Sequence, residues 1–436
     1  MKSLRVAMLG CGVVGSEVAA RILGHGEELA ARIGAPLELA AVAVRDASKA
    51  RPGVPSELLT TDAAAAIEGA DIVIELIGGI EPARELILSA LRSGASVVTA
   101  NKALLASHYG ELMKAADAAE VRLEHEAAVA GAIPIIRPVG NSLAGDRITR
   151  VMGIVNGTTN YILDQMDSEG WDFDTALRTA QELGYAEADP TADLGGHDAA
   201  AKAAILASIA FHTPVTIDDV SVEGITEVSA DMVETARAQG FTIKLLAICE
   251  ELSDSPEGPG VSARVYPALL PREHVLASVG GAFNAVFIEA EAAGELMFYG
   301  QGAGGAPTSS AVLGDVVSVA RRKVLGGRGQ YERRLTTRLP VLPISAITTR
   351  YQITLDVFDR PGVLSRIAEV FAEEGVSIEL VQQTQIEDEP AGTPQRAKLV
   401  IATHAGIDAA LRRTVDRLAE LEAVNALSSV LRIEGH

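Results

Sequence analysis

Between a short apolar run, Arg5 to Leu9, and a helical pattern from Ser16 to about Ile33 stands Gly10-Cys11-Gly12-Val13-Val14-Gly15. A strand feeding a glycine turn and then a helix is a dinucleotide-binding arrangement. One glycine makes the turn, one lets a pyrophosphate approach the backbone, and one lets the helix lie close on the strand. The chain is therefore expected to open with a parallel α/β domain that holds a dinucleotide against Gly10, Gly12, Val13, Val14 and Gly15.

A second apolar run, Leu37 to Val44, predicts the next parallel strand. In NAD-selective sites the end of that strand carries an acid for the ribose 2′-hydroxyl. Here Arg45 stands at that end, with Lys49 and Arg51 nearby. A guanidinium suits a 2′-phosphate and points to NADPH; the alternative is a solvated strand end at which Asp46 serves the ribose. A helix around Ala63 to Glu68, a strand Asp71 to Ile77, a helix through Glu81 to Ser93 and a strand Ser96 to Ala100 follow. Strands alternating with helices predict a doubly wound parallel sheet, with Asn101-Lys102 at its ligand-binding end.

The 436 residues exceed one ordinary core, so two or three domains are expected. A net charge of −21 argues against a nucleic-acid partner, which needs clustered basic charge. Cys11 and Cys249 stand far apart in apolar segments, so neither a disulfide framework nor a cysteine metal site is expected. Glycines and Glu17 break the apolar start, and no stretch reaches the roughly 18 apolar residues of a membrane span. A cytoplasmic protein without membrane contact is expected.

Val121 to Glu126 reads as another strand, running into the apolar loop Ala127 to Pro134. Gly131 and Pro134 leave carbonyls there outside any ladder; they either ligate a monovalent cation or belong to an ordinary buried loop. Asn156-Gly157-Thr158-Thr159-Asn160 precedes a helix and suits either a carboxylate or an N-cap. The densest chemistry runs from Gly184 to Lys202, with Tyr185, Glu187, Asp189, Asp193 and Asp198 between them. Carboxylates this close repel unless cations or helix N-termini compensate, and Asp198 with Lys202 at i, i+4 shares a helix face. The group is either a capped helix with a solvated ion pair or a pocket that holds an ammonium on its acids and supplies a proton from its lysine. Gly300 to Thr308 is a second glycine-rich helix entry, able to close over the cofactor from the second domain.

Residues 324 to 348, rich in Gly, Arg and Pro, look like a linker. Beyond them the pattern is βαββαβ, a self-contained split-βαβ unit without a catalytic cluster. The expected organisation is a dinucleotide-binding domain over 1–140 and an α+β substrate domain over 141–308. A helix returning to the first domain spans 309–330, a linker 331–349 and the split unit 350–436. Truncation before Thr348 is expected to leave a folded, active protein.

Four motifs, in order along the chain, resemble the homoserine dehydrogenase family: Gly10-x-Gly12-x-x-Gly15, Thr99-Ala-Asn101-Lys102, Asn156-Gly-Thr-Thr-Asn160, and Gly184-Tyr-x-Glu187-x-Asp-Pro-Thr-x-Asp193 with Asp198 and Lys202. The tail, Val357-Phe-Asp359-Arg-Pro-Gly362-Val-Leu364, resembles the opening of an ACT domain, an amino-acid sensing module. The resemblance implies reduction of L-aspartate 4-semialdehyde to L-homoserine with NADPH or NADH, on the route to threonine and methionine. It implies Lys202 as proton donor, with Lys102 and Asp198 also in the catalytic group. Glu187, Asp193, Asp198, Tyr185 and Thr158 would line the substrate pocket, and Val13, Lys102, Gly184 and Gly302 would touch the cofactor. A sodium or potassium ion is implied at Glu126, Val129, Gly131 and Ile133, although Ala132 stands where a second glycine is expected. Threonine as effector and a homo-oligomer, dimer or tetramer, complete the expectation. Another Rossmann oxidoreductase would share the glycine turn without the Glu187-to-Lys202 spacing. A non-catalytic sensor would share the tail without two lysines at a cofactor crevice.

Overall fold

The computed structural model describes residues 2–329, 335–386 and 395–435. Its first unit runs β1 (Leu4–Leu9), α1 (Val13–Gly24), α2 (Gly26–Ile33), β2 (Leu37–Ala43), β3 (Leu59–Thr60), α3 (Ala63–Ile67), β4 (Ile72–Glu75), α4 (Ala83–Arg92), β5 (Ser96–Thr99), α5 (Lys102–Ala118) and β6 (Leu123–Glu124). The strands are parallel in the order β3-β2-β1-β4-β5-β6, the doubly wound arrangement. Val6 to Leu9, Ile72 to Ile74 and Val97-Val98 are wholly buried, as strands covered by helices on both faces require. The single helix expected to Ile33 breaks at His25, between Gly24 and Gly26. The strand expected over Val121 to Glu126 shrinks to Leu123–Glu124 because the chain makes a helical turn at Glu126–Ala128 and then takes left-handed conformations at Ala130 and Gly131.

The second unit contains β7 (Ile148–Ile154), α6 (Gly157–Ser168), α7 (Phe173–Glu182), α8 (Thr191–Leu194), α9 (His197–Ala210), β8 (Ser221–Val222), α10 (Ala230–Ala238), β9 (Phe241–Leu252), β10 (Gly260–Pro271), β11 (Phe283–Ala290) and β12 (Gly294–Gln301). Helix α9 is buried from Ala199 to Ala210, lying between α5 and the β9–β10 pair. Its alanines make this possible, since a helix covered on all sides needs small apolar residues all round. Next, α11 (Gly305–Val324) returns to the first unit, where Val312, Val316 and Val319 share a core with Val18 and Ile22.

The tail comprises β13 (Thr348–Phe358), α12 (Val363–Glu373), β14 (Ile378–Gln385), β15 (Arg396–Thr403), β16 (Gly406–Ile407), α13 (Asp408–Ala419) and β17 (Val424–Ile433). It has its own core, including Ile353, Ile367, Phe371, Ile401 and Leu411. It is nevertheless not hung on a free spacer. Residues 331–334 of the expected linker lie outside the described residues, but Val341 bridges to Val261 of β10, with Leu342 N–H donating to the Val261 carbonyl at 2.8 Å. Strand β17 then pairs parallel with β10 through Ala268–Arg432 and Leu269–Ile433, so one sheet runs β12-β11-β7-β9-β10-β17-β13-β15-β14 across both units. Beyond β17, buried Glu434 accepts the Tyr266 hydroxyl at 2.6 Å and pairs with Arg150. Cutting before Thr348 would therefore remove a strand and a buried counter-ion that the substrate unit shares with the tail.

Candidate active site

The carboxyl ends of the parallel strands face the acid-rich loop across a cavity of about 880 Å³. Asp198 enters it from the first turn of α9, and Lys202 follows one turn later. The Lys202 ammonium donates to Asp198 Oδ2 at 2.6 Å and to the Val155 carbonyl at 2.6 Å. Two of its three N–H groups are thereby used, leaving one for a ligand. Lys102, the first residue of α5, pairs with the other oxygen of Asp198. One carboxylate thus gathers ammonium groups from two domains. The Asn156 amide donates to Asp198 at 2.8 Å and to Asp193 at 2.7 Å, holding the two acids together.

Burial alone would push the Asp198 carboxyl upward, but Lys202 and Lys102 outweigh it and hold it below the usual carboxylate range. Burial also pulls the Lys202 ammonium below its ordinary value, against the attraction of Asp198. The pair is therefore a persistent anion beside a lysine that gives up its proton more readily than a solvated one, suited to acid–base work.

The glycine turn is shaped by close approach. A Cβ at Gly10, whose φ is +94°, would stand 2.6 Å from the Leu76 carbonyl oxygen, and one at Gly15 would stand 2.7 Å from the Gly10 carbonyl oxygen. At Gly12 a Cβ would meet no protein atom within 4 Å. Packing does not demand that glycine, so the space beside it fits a ligand such as pyrophosphate. Val13 and Val14 border the cavity, and the second glycine-rich entry closes on them: Gly305 lies where a Cβ would touch the Val13 side chain at 2.8 Å. Arg45 is exposed at the end of β2, outside the cavity lining. The alternative ribose acid, Asp46, is engaged in its own turn, accepting the Ser48 hydroxyl at 2.6 Å and the Ser48 N–H at 3.0 Å.

Of the other expected residues, Tyr185, Glu187, Asp193, Thr158, Gly184, Gly131 and Gly302 line the same cavity. The Thr158 hydroxyl donates to the Tyr185 carbonyl at 2.6 Å, so it fastens the loop. Asp189 accepts the Thr191 hydroxyl at 2.6 Å and shapes the entry to α8. Glu126 is buried with both carboxylate oxygens engaged, by the Ile135, Ile136 and Arg137 N–H groups and the Arg137 guanidinium. A cation on this loop would therefore rest on main-chain carbonyls; those of Val129, Gly131 and Ile133 receive no backbone N–H among the described residues, which fits such a site.

Sequence reasoning passed over Glu75. Buried at the end of β4, it accepts the Ile77 N–H at 2.7 Å and the Thr99 hydroxyl at 2.6 Å. Thr99 in turn accepts the Asn101 N–H at 3.0 Å, and Asn101 caps α5 immediately before Lys102. The one available signal was an acid closing an otherwise apolar strand, Ile72 to Glu75, which in a parallel sheet must find buried donors.

The comparisons with known proteins agree with this geometry. Residues 10–126 match the homoserine dehydrogenase NAD-binding domain family, residues 134–317 the homoserine dehydrogenase family, and residues 351–423 the ACT domain family. The chain is 58% identical to the homoserine dehydrogenase of Mycobacterium tuberculosis over 100% of this chain and 98% of that protein. A crystal structure of a homoserine dehydrogenase from Thiobacillus denitrificans superposes with a TM-score of 0.91 at 37% identity, covering 100% of this chain and 99% of that one. A hyperthermophilic archaeal homoserine dehydrogenase mutant in complex with NADPH gives a TM-score of 0.62 at 27% identity over 73% of this chain and 98% of its own. With an NAD-binding domain, a catalytic domain and a C-terminal ACT domain in that order, the chain belongs to the homoserine dehydrogenase family.

Proposed function

We propose that the protein reduces L-aspartate 4-semialdehyde to L-homoserine with NADPH in preference to NADH, serving threonine and methionine synthesis. The observation that carries the reading is Asp198 shared by Lys202 and Lys102 at the meeting of the two domains. The bound nicotinamide supplies the hydride. As charge develops on the aldehyde oxygen, the free N–H of Lys202 stabilises it and then delivers the proton. Asp198 keeps that lysine charged beforehand, and Lys102 adds positive potential on the cofactor side. Glu187 and Asp193 attract the substrate's ammonium, while Thr158 and Tyr185 keep their loop in place. An exposed guanidinium at the end of β2, beside an Asp46 whose Oδ1 is turned to Ser48, supports Arg45 as the reader of a 2′-phosphate.

Sodium or potassium on the Val129, Gly131 and Ile133 carbonyls belongs to the same reading, with Glu126 bracing the loop. Its contribution is positive charge that stiffens the wall next to Gly302. The ACT domain takes threonine as effector, and the enzyme works as a dimer or tetramer. A spectrophotometric assay with both nucleotides, with and without threonine, tests the reading. Activity on aspartate semialdehyde that is stronger with NADPH and falls with millimolar threonine is expected. No turnover of this substrate would overturn the proposal, and turnover indifferent to threonine would remove the effector from it.

A further inference from the structure

The acid-bearing loop rests on a strap, residues 222–225, that lies outside the catalytic group. Between α8 and α9, Leu194-Gly195-Gly196 is pressed against residues 222–225. A Cβ at Gly224 would lie 2.3 Å from the Leu194 carbonyl oxygen, and one at Gly196 would lie 3.0 Å from a Val222 methyl. The Ile225 N–H donates to the Leu194 carbonyl at 2.8 Å. Asp193 precedes this contact and Asp198 follows it, so the strap sets how the two acids meet Asn156. The strap is held on its inner side by β8 pairing with β10 and by Glu223 N–H donating to the Val265 carbonyl at 2.8 Å. Its outer hold comes from the tail: the Arg432 guanidinium donates to Glu223 at 2.9 Å.

Arg432 is itself fixed from both units. It bonds Asp408, at the start of α13, at 3.1 Å, and its guanidinium lies 4.6 Å from the ring centroid of Tyr266 on β10 and 5.4 Å from that of Tyr351 on β13. Arg432 is 5% exposed, whereas the Glu223 side chain is 49% exposed. A half-exposed glutamate just beyond a two-residue strand would be an ordinary surface residue, were it not joined to a buried arginine and followed by a glycine in contact with the substrate loop.

We propose that Glu223 and Arg432 are positioning residues for the acid-bearing loop, through which the C-terminal unit holds Asp193 and Asp198 in register with Lys202. The proposal rests on the reading of that loop as the substrate site. It also gives the tail a part in the basal reaction, besides any effector binding. Small misplacements of catalytic groups are costly in rate, roughly 10²-fold for 1 Å, and loosening one side of the strap should fall short of that.

Glu223→Ala, chosen because a half-exposed site tolerates truncation, is expected to lower kcat/KM for homoserine oxidation about ten-fold. The dissociation constant for the dinucleotide should stay within about two-fold, since the glycine turn is untouched. Glu223→Gln, which still accepts a hydrogen bond, should recover part of the loss. Independently of turnover, hydrogen–deuterium exchange of the 191–198 segment should quicken in the Ala variant. Wild-type kcat/KM together with unchanged exchange would overturn the proposal. Inactivity of the wild-type protein would defeat the substrate reading alone, because the exchange comparison would still decide whether Glu223 holds the loop. A matching loss in Arg432→Ala, partly restored in Arg432→Lys, would support the pair; loss of folding in both is judged through the Glu223 variants.

Discussion

Replacing Glu434 by alanine isolates the hold between the C-terminal unit and the substrate sheet. The carboxylate is 3% exposed, pairs with Arg150 and accepts the Tyr266 hydroxyl at 2.6 Å; Tyr266 also accepts from Arg264 at 3.1 Å. Removing one partner of a buried ion pair costs about 3–5 kcal/mol because the remaining charge stays desolvated. Glu250, 2.6 Å from Arg264, and Glu289, 3.8 Å from Arg150, offset part of that, so the lower end, about 3 kcal/mol, is expected. At about 2–4 °C per kcal/mol this lowers the melting temperature of the substrate unit by roughly 6–12 °C. Glu434→Gln keeps an acceptor for Tyr266 and should lose less. Burial alone would raise this carboxyl, but Arg150 and Arg264 hold it below the usual range. A depressed folded pKa means the stabilisation is complete above the unfolded carboxylate value of about 4.3 and fades as pH falls below it. Urea and thermal unfolding at pH 7 and pH 4 provide the test. A loss under about 1 kcal/mol at pH 7, or equal losses for Ala and Gln, would refute the reasoning.

Arg45→Ala should raise the KM for NADPH well above any change for NADH; equal changes would show that Arg45 does not read the 2′-phosphate. Gly12→Ala should fold with wild-type stability, since a Cβ there meets no protein atom within 4 Å, yet bind dinucleotide on the order of ten-fold more weakly. Unaltered binding by fluorescence titration would place the pyrophosphate elsewhere. In homoserine oxidation Lys202 must be neutral to accept the proton. The kcat/KM profile should therefore rise with pH and level off below the ordinary lysine value of 10.5, and a rise centred at or above that value would contradict the burial argument.

How far the fold could be read differed between units for physical reasons. The parallel domain was legible because Val6 to Leu9, Ile72 to Ile74 and Val97-Val98 are continuous apolar runs punctuated by glycine turns. The gathering of Asp198 and Lys202 was legible from helical spacing alone. Lys102 reaching the same carboxylate was not, because it depends on the packing of α5 on α9, which no local pattern encodes. Glu75 stayed hidden for a similar reason: the Thr99 hydroxyl that it accepts is brought beside it by the pairing of β4 with β5, although its other donor, the Ile77 N–H, is local. The tail's βαββαβ pattern was plain, yet its attachment rests on two β17–β10 pairs and on Glu434. Those involve residues that read as an ordinary strand end. Thr158 and Asp189, both polar in a polar stretch, proved to tie backbone, a distinction sequence patterns do not make.

Lys202 as the group that stabilises the developing alkoxide and then gives it a proton is the step on which the proposed reaction turns. Its most direct test is single-turnover reduction of aspartate semialdehyde by Lys202→Ala, with dinucleotide binding measured alongside. The expected result is a rate lower by about 10²-fold or more, the usual scale for general acid–base assistance, with the NADPH dissociation constant nearly unchanged. A variant that reduces the aldehyde at close to the wild-type rate would contradict it and remove Lys202 from the chemistry.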